Sequence, residues 1–488
     1  MTAPDLDLAV IGGGPAGLAA AILAADLGLK TALYDEQAAP GGQVWRAVEA
    51  AAGRPDGFRD LLGADFARGA DLVRRFRASG ADYRPGHAVF DLDPDGGFGV
   101  LSPAGATWVR ARRVLVAAGA MERPVPVPGW TLPGVLTAGA AQTLLKSAAM
   151  VPRGRCVIAG SGPLTLLVAR QLLAAGGNIV AVLDTTPAEN TRRAAPLLPA
   201  AWRAWREIVK GLRWRSEARR GAPHHAGVRE IEILGPDAVT GIAFTSGGRR
   251  ARIACDLVLL HEGVVPNAQL TLALGAEHRF DSVQACWRPV VDAFGRTSVA
   301  TVVAAGDGAG IGGADLAVEA GEMAALAVAL DLEVLDSATV AARARGPRSQ
   351  IARLAGLRRF LDTLYRPRAE VLAPPGDDTV ICRCEEVTAG TLRQVVGLGC
   401  QGPNQAKAFT RCGMGPCQAR MCGLPMAAVV AEALGRSLAE VEPLRVRPPI
   451  KPITVGELAG LEGVGPPPAT GPMLPTRPAD PGAEGTEP

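Results

Sequence analysis

The chain has 488 residues, 48% of them hydrophobic and 20% charged, enough for about three cored domains and too apolar for a disordered or fibrous protein. Lys and Arg number 51 against 48 Asp and Glu, a formal net charge of +3 with no basic block, so charge gives no support to a nucleic-acid partner. Nine cysteines, six of them between 382 and 422, argue for cytoplasmic thiols or a metal site and against a disulfide framework.

Residues 8–25 form an uncharged run long enough to raise the question of a membrane span. Four glycines and Pro15 interrupt it, and Asp5 and Asp7 precede it, so it reads as part of a soluble fold with no transmembrane segment. An apolar strand at 7–10 leads into Gly12-Gly13-Gly14-Pro15-Ala16-Gly17, a helix to about Leu27, and a second strand at 30–34 ending in Asp35-Glu36. In this β-α-β start Gly12 permits the tight turn, Gly14 lets the backbone approach a pyrophosphate, and Gly17 allows close packing of helix on strand. Pro15 suits the first helical turn, and the helix N-terminus, at Ala16, carries the partial positive charge that phosphates seek. Asp35 or Glu36 would accept hydrogen bonds from the adenosine ribose.

Between about 74 and 116, short alternating segments with turn signals predict a small antiparallel insertion, followed by a strand that ends at Ala118-Gly119. A second strand–glycine–helix unit lies at 156–175, with Gly160 and Gly162 in its turn and Asp184 at the end of the next strand. Thr165 stands where the third glycine belongs, and its side chain should crowd the helix against the strand. Whether this unit holds NAD(P), ATP, FMN at a subunit interface, or nothing is left open. His224-His225 read as loop residues, His261-Glu262 as structural, and Trp202 and Trp205 as surface or interface packing. Strands at 257–260 and 301–305 continue the pattern, the latter ending in Gly306-Asp307 before a helix at 315–330. Residues 331–376 read as a helical linker closed by Pro374-Pro375-Gly376, and the last 23 residues hold eight prolines, which predicts a disordered tail.

The cysteine-rich stretch runs Cys382-Arg383-Cys384, a helix with Thr388 as N-cap, Cys400, and then Cys412, Cys417 and Cys422. Four thiolates hold a 2Fe-2S cluster. Zinc is the main alternative, although structural zinc sites prefer C-x2-4-C pairs at both ends.

Four later segments resemble two-dinucleotide flavoproteins of the thioredoxin-reductase type: Gly41-Gly42-Gln43, the strand 114–119 followed by Arg123-Pro124, Gly263-Val264-Val265-Pro266-Asn267, and Ala305-Gly306-Asp307. The resemblance implies FAD in the first unit, with Gly42, Gln43, Val89, Ala118, Gly119, Gly306 and Asp307 joining the glycine turn around it. No C-x-x-C pair is present, so the redox disulfide of many such enzymes is not expected. The cysteine stretch resembles the bacterioferritin-associated-ferredoxin (BFD) type of 2Fe-2S module, whose spacing implies Cys382, Cys384, Cys417 and Cys422 as ligands, with Cys412 as a substitute.

The combination resembles the alpha (A-type) flavoprotein component of opine oxidases, of proline and hydroxyproline dehydrogenase complexes, and of hydrogen cyanide synthase. Cys400-Gln401-Gly402-Pro403-Asn404 and the run Lys407 to Gln418 carry that likeness most specifically. The expected fold is α/β: two Rossmann-like dinucleotide-binding domains plus a small helical 2Fe-2S domain. The expected division is FAD domain 1–145 and 290–330, NAD-like domain 146–289, helical linker 331–376, cluster domain 377–440 and Pro-rich tail 441–488. The resemblance implies a cytoplasmic electron-transfer subunit of a hetero-oligomeric amino-acid or opine dehydrogenase. Its partners would be a D-amino-acid-oxidase-like catalytic subunit and a small ferredoxin-like subunit. The rival is a self-sufficient NAD(P)H-dependent reductase, with Asp184 for it and Thr165 against it.

Overall fold

The computed structural model describes residues 4–54 and 57–461. Its first sheet runs Asp82–Pro85, Thr31–Asp35, Leu6–Ile11, Gly105–Val116, Gly97–Ser102, Ala88–Leu92, with Val302–Ala304 also paired to Gly105–Val116. The long strand Gly105–Val116 serves two sheets at once. Its first half pairs antiparallel with Gly97–Ser102, and its second half runs parallel to Leu6–Ile11 and Val302–Ala304. The expected antiparallel insertion is thus grafted on a parallel nucleotide-binding sheet.

Helices Pro15–Asp26 and Ala314–Asp331 pack against each other beneath this sheet, and their small residues set the separation. A Cβ on Gly321 would lie 2.1 Å from the Ala16 carbonyl oxygen, and one on Gly306 2.8 Å from the Ala16 Cβ. Alanine and glycine at this crossing are therefore steric requirements that let backbones approach.

A second sheet is wholly parallel: His224–Ala226, Ile179–Asp184, Cys156–Ser161, Leu257–Glu262, Val135–Thr137. An antiparallel sheet of Arg229–Leu234, Gly241–Ser246 and Arg249–Ala254 covers one face, burying Phe244, Ile242, Val157, Leu183 and Val258 together. His224 and His225 lie in a strand, because Pro223 and its neighbours extend the parallel edge. The two halves are joined by short crossing strands, Ala120–Glu122 antiparallel to Val264–Pro266. The second sheet accordingly draws on 135–262, where the sequence pattern suggests 146–289. The three-residue strands at each crossing are too short to show a pattern, while Leu270 and Leu274 bury in the first unit's core.

The linker is helical over Ser337–Arg343, Arg345–Leu364 and Ala369–Leu372. The cysteine-rich stretch forms a small unit of two strands, Val380–Cys382 and Val387–Thr388, with helices Ala389–Gly397, Pro403–Thr410 and Gly423–Ala433 around its own core of Ile381, Leu392, Met426 and Val429. Thr388 caps its helix as expected, accepting from the Thr391 N–H at 3.2 Å.

The tail expected from 441 does not begin there. Val446 and Ile450 are buried with Ala9, Ile11 and Tyr34 of the first unit, and Ile450 donates to the Phe90 carbonyl at 2.8 Å. Two apolar side chains between prolines are enough to hold an extended segment in a groove. The eight-proline stretch lies outside the described residues. Among those described, no helix is long and apolar enough to cross a membrane.

Candidate cofactor sites

The first glycine turn has the geometry its sequence requires. Gly12 has φ +110° and a Cβ there would stand 2.4 Å from the Ala117 carbonyl oxygen; a Cβ on Gly17 would stand 1.9 Å from the Gly12 oxygen. Pro15 occupies the first helical turn. Gly41 donates to the Gly13 carbonyl at 2.8 Å, which folds Gly41-Gly42-Gln43 over the cradle so that a Cβ on Gly42 would be 2.8 Å from the Gly14 Cα. Ala118 and Gly119 follow directly on Gly105–Val116, and Gly306 presses on Ala16 at the helix start. Asp307 accepts from the Gly312 and Gly313 N–H groups, both at 2.8 Å, and so pins the loop before helix Ala314–Asp331. Val89 is buried in the strand Ala88–Leu92, two residues after His87, whose N–H donates to the Asp35 carbonyl at 2.9 Å. A Cβ at Gly12, Gly17 or Gly42 would strike neighbouring backbone, so only glycine lets strand, helix and loop close this tightly, as a dinucleotide-binding turn requires.

The structure separates Asp35 from Glu36. Asp35 is 5% exposed and accepts from the Gly13 N–H at 3.0 Å and the Gln37 N–H at 2.9 Å. It braces the glycine turn and is not free to take a ribose. Burial raises its pKa to about 6. Glu36, just past the strand end, is bound not to the glycine turn but to Lys451 from a remote segment. Burial opposes its charge, but a hydrogen bond and the charge of Lys451, with Arg420 beyond, hold its pKa below the usual range.

Lys146 carries no motif that would single it out in sequence. Its buried ammonium donates to the Val44 carbonyl and Gln142 Oε1, each at 2.9 Å, and to the Gln43 carbonyl at 3.2 Å. Gln142 donates to Gln171 Oε1 at 2.8 Å, and Gln171 donates to the Leu62 carbonyl at 2.9 Å. One polar chain thus ties the second unit to the loop over the first cradle. The only signal for it was scarcity, since the chain has just five lysines. Burial, then the charge of Arg46, pushes its pKa from 10.5 down to about 7. Between those values the unfolded chain binds a proton that the folded chain has released, so stability from this group rises with pH across the window. Replacing Lys146 by Met should flatten that rise in a pH series of denaturation curves and, by leaving carbonyls unpaired, cost about 2 kcal/mol near neutral pH.

In the second cradle, Gly160 (φ +146°) and Gly162 (φ +109°) form the turn, and a Cβ on Gly160 would meet the His261 oxygen at 1.7 Å. The crowding expected of Thr165 does not arise. Its hydroxyl turns back to donate to the Gly162 carbonyl at 2.6 Å. Asp184 accepts from the Thr186 N–H at 2.9 Å and stays partly open to solvent. Glu262 lies at the end of its strand directly beside Ser161, where ligands of parallel sheets bind. It is buried and accepts from Thr185 Oγ1 at 2.6 Å and Ser161 Oγ at 3.1 Å, and burial raises its pKa. Its neighbour His261 pairs through Nδ1 with Glu122 Oε1 at 2.6 Å. An acidic side chain at this point opposes a phosphate once it ionises.

Five thiols meet in the cysteine unit. The Sγ atoms of Cys382, Cys412 and Cys422 all lie within 4.8 Å of one another, and Cys417 is in hydrogen-bonding reach of both Cys422 and Cys384. Gly415 packs on Cys384, where a Cβ would be 2.3 Å from the cysteine's own. Thiol donors, Cys412 first, hold Cys382 far below the ordinary thiol range, and the Cys422 thiol draws Cys417 down to about 5. Among the described residues, four of the nine non-glycine residues with positive φ sit here: Glu386, Arg411, Gln418 and Ala419. Such backbone strain gathers where a centre must be held. The all-sulfur donor set suits an iron–sulfur cluster or zinc. Cys400 is turned away, donating to the Gly402 carbonyl. Cys156, Cys255 and Cys286 are buried apart, and burial pushes their thiols up to about 12, 11 and 12.

Residues 6–324 match the family model for pyridine nucleotide-disulphide oxidoreductases, and residues 378–461 match the sarcosine oxidase A3 domain. The chain is 41% identical over 470 residues to the A subunit of opine oxidase from Agrobacterium tumefaciens (strain Ach5), covering 93% of this chain and 92% of that one. It is 34% identical over 464 residues to the HcnB subunit of hydrogen cyanide synthase from Pseudomonas aeruginosa, covering 91% and 96%. In fold it is similar to L-proline dehydrogenase from P. horikoshii, with a TM-score of 0.69 at 20% identity over 93% of this chain and 79% of that chain. With its two nucleotide units and its cysteine unit matched in order, the chain belongs to the pyridine nucleotide-disulphide oxidoreductase family, among the FAD-dependent oxidoreductases that include the A subunits of opine oxidases.

Proposed function

We propose that this chain is the FAD- and 2Fe-2S-containing electron-transfer subunit of a hetero-oligomeric dehydrogenase or oxidase acting on an amino acid, an opine or another secondary amine. The observation that carries this reading is a cleft shared by the cysteine unit and the crossing strands next to the first cradle. Ala419 and Arg420 of the cysteine loop line the same cleft as Met121, Val265 and Pro266 of the crossing strands, and the strand that carries Met121 continues directly from Ala118-Gly119 of the first cradle. Bound there, FAD would supply two-electron redox chemistry and the cluster one-electron chemistry. The chain's own residues bind, orient and enclose. The glycine turn and the start of helix Pro15–Asp26 would receive the pyrophosphate, Glu36 the adenosine ribose and Asp307 the ribityl side. Cys382, Cys384, Cys417 and Cys422 would ligate the cluster, with Cys412 in reserve. A D-amino-acid-oxidase-like subunit would carry out the amine oxidation, and a small ferredoxin-like subunit would complete the assembly.

Glu262 in the second cradle supports this reading over a self-sufficient NAD(P)H-dependent reductase, because its carboxyl takes up the Ser161 and Thr185 hydroxyls at the point where a dinucleotide's phosphates would look for donors. The test is anaerobic mixing of the purified chain with NADH or NADPH, and separately with an opine or amino acid in the presence of the co-expressed amine-oxidising subunit. The flavin absorbance should bleach slowly with the nicotinamides and rapidly with the amine and its subunit. Rapid bleaching by NADH alone would favour the reductase. A purified chain lacking flavin, or lacking iron and acid-labile sulfide, would refute the reading outright.

A further inference from the structure

Two cations act on Glu36 of the first cradle from the far end of the chain, Lys451 as an ion-pair partner and Arg420 through its charge. Arg420, in the cysteine loop, donates from Nη2 to the Ile450 carbonyl at 2.9 Å and from Nη1 to the Cys417 carbonyl at 3.3 Å. Its Nε is buried with no partner. Ile450 is itself anchored on the Phe90 carbonyl and packed near Val89. The next residue, Lys451, closes an ion pair with Glu36 across 415 positions of sequence. Asp35 is occupied with Gly13, so Glu36 is the acid left to take ribose hydroxyls at the end of the second strand.

We propose that Arg420 and Lys451 latch the adenosine end of the FAD site, so that bound FAD and the docked cysteine unit hold each other in place. The inference rests on the reading of the first cradle as an FAD site. Lys451 fixes the Glu36 carboxylate where it meets the ribose. The charge of Arg420 acts on the same carboxylate, and its two Nη groups tie that guanidinium to the cysteine loop and to the 441–461 segment. Linkage then makes the effect reciprocal: whatever factor docking adds to FAD affinity, FAD adds to docking.

The experiment uses the full-length, cofactor-loaded protein. FAD release is followed by the rise of free-flavin fluorescence, and iron loss to a chelator by visible absorbance. Lys451→Met should speed FAD release about fivefold and Arg420→Met about tenfold, whereas Lys451→Arg should stay within about twofold of wild type. Wild type stripped of FAD should lose iron several-fold faster than the FAD-loaded protein, and Lys451→Met should narrow that gap. Lys451 is partly exposed and outside the ligand loop, so its variants test the latch without disturbing the fold. Wild-type FAD release in Lys451→Met, or iron loss indifferent to FAD, overturns the latch and leaves the FAD reading standing. A wild-type chain that binds no FAD overturns both.

Discussion

Replacing Cys417 by serine is expected to remove the iron–sulfur absorbance and leave the flavin in place. The thiols group as a trio, Cys382, Cys412 and Cys422, and a pair, Cys384 beside Cys417, and Cys417 also reaches Cys422, so it links the two groups. A 2Fe-2S cluster takes two sulfurs on each iron, and among the described residues no thiol other than Cys417 is in hydrogen-bonding reach of Cys384. Iron and acid-labile sulfide should therefore fall below about a tenth of wild type in Cys417→Ser and in Cys384→Ser. Cys412→Ser should keep most of its iron. Cys382→Ser should fall between, because Cys412 lies within 4.8 Å of both Cys382 and Cys422 and can take the vacated position. The reverse result, iron retained in Cys384→Ser and lost in Cys412→Ser, would reassign the ligands to Cys382, Cys412, Cys417 and Cys422.

The second large effect concerns the one glycine of the G-x-G-x-x-G pattern that the second turn lacks, Gly17 in the first and Thr165 in the second. In Gly17→Thr the new Cβ would stand 1.9 Å from the Gly12 oxygen and 3.2 Å from Val10 Cγ1. Both the helix and the strand beneath it are backbone-limited there, and neither yields without moving the cradle. The variant should lose bound flavin and about 3 kcal/mol of stability or more. The reciprocal change, Thr165→Gly, removes only the hydroxyl contact to the Gly162 carbonyl and adds unfolded-chain freedom, a cost of about 1 kcal/mol. Flavin-to-protein absorbance ratios and denaturation curves would measure both. Stoichiometric flavin in Gly17→Thr would show that the glycine is dispensable.

Much of the architecture was legible because its signals are local. A buried strand, a glycine turn and an Ala-rich helix are contiguous, so Gly12 to Asp35 and Gly160 to Asp184 could be read in place. The cysteine unit was legible for the same reason, its spacing being a property of one short stretch. The boundaries between units were not. Strands of three residues, Val135–Thr137, Ala120–Glu122 and Val264–Pro266, have no periodicity to read, and their pairing partners are remote. The consequence of Thr165 was not legible either, since its rotamer decides whether the side chain crowds the helix or caps a carbonyl.

The sequence by itself determined the fold class, the order of the units and the residue types at both candidate cofactor sites, because these follow from patterns within a few tens of residues. Only the tertiary structure decided which acid serves which role. Asp35 and Glu36 are adjacent and chemically alike, yet one is consumed by Gly13 and the other meets Lys451. Glu262 became a determinant of the second cradle only when a parallel strand set it beside Ser161. Nothing in the local sequence marks out Lys146, Arg420 or Lys451. Their roles depend on buried carbonyls and a carboxylate brought from distant segments, and a side chain's local sequence says nothing about which distant groups folding will leave in need of a partner.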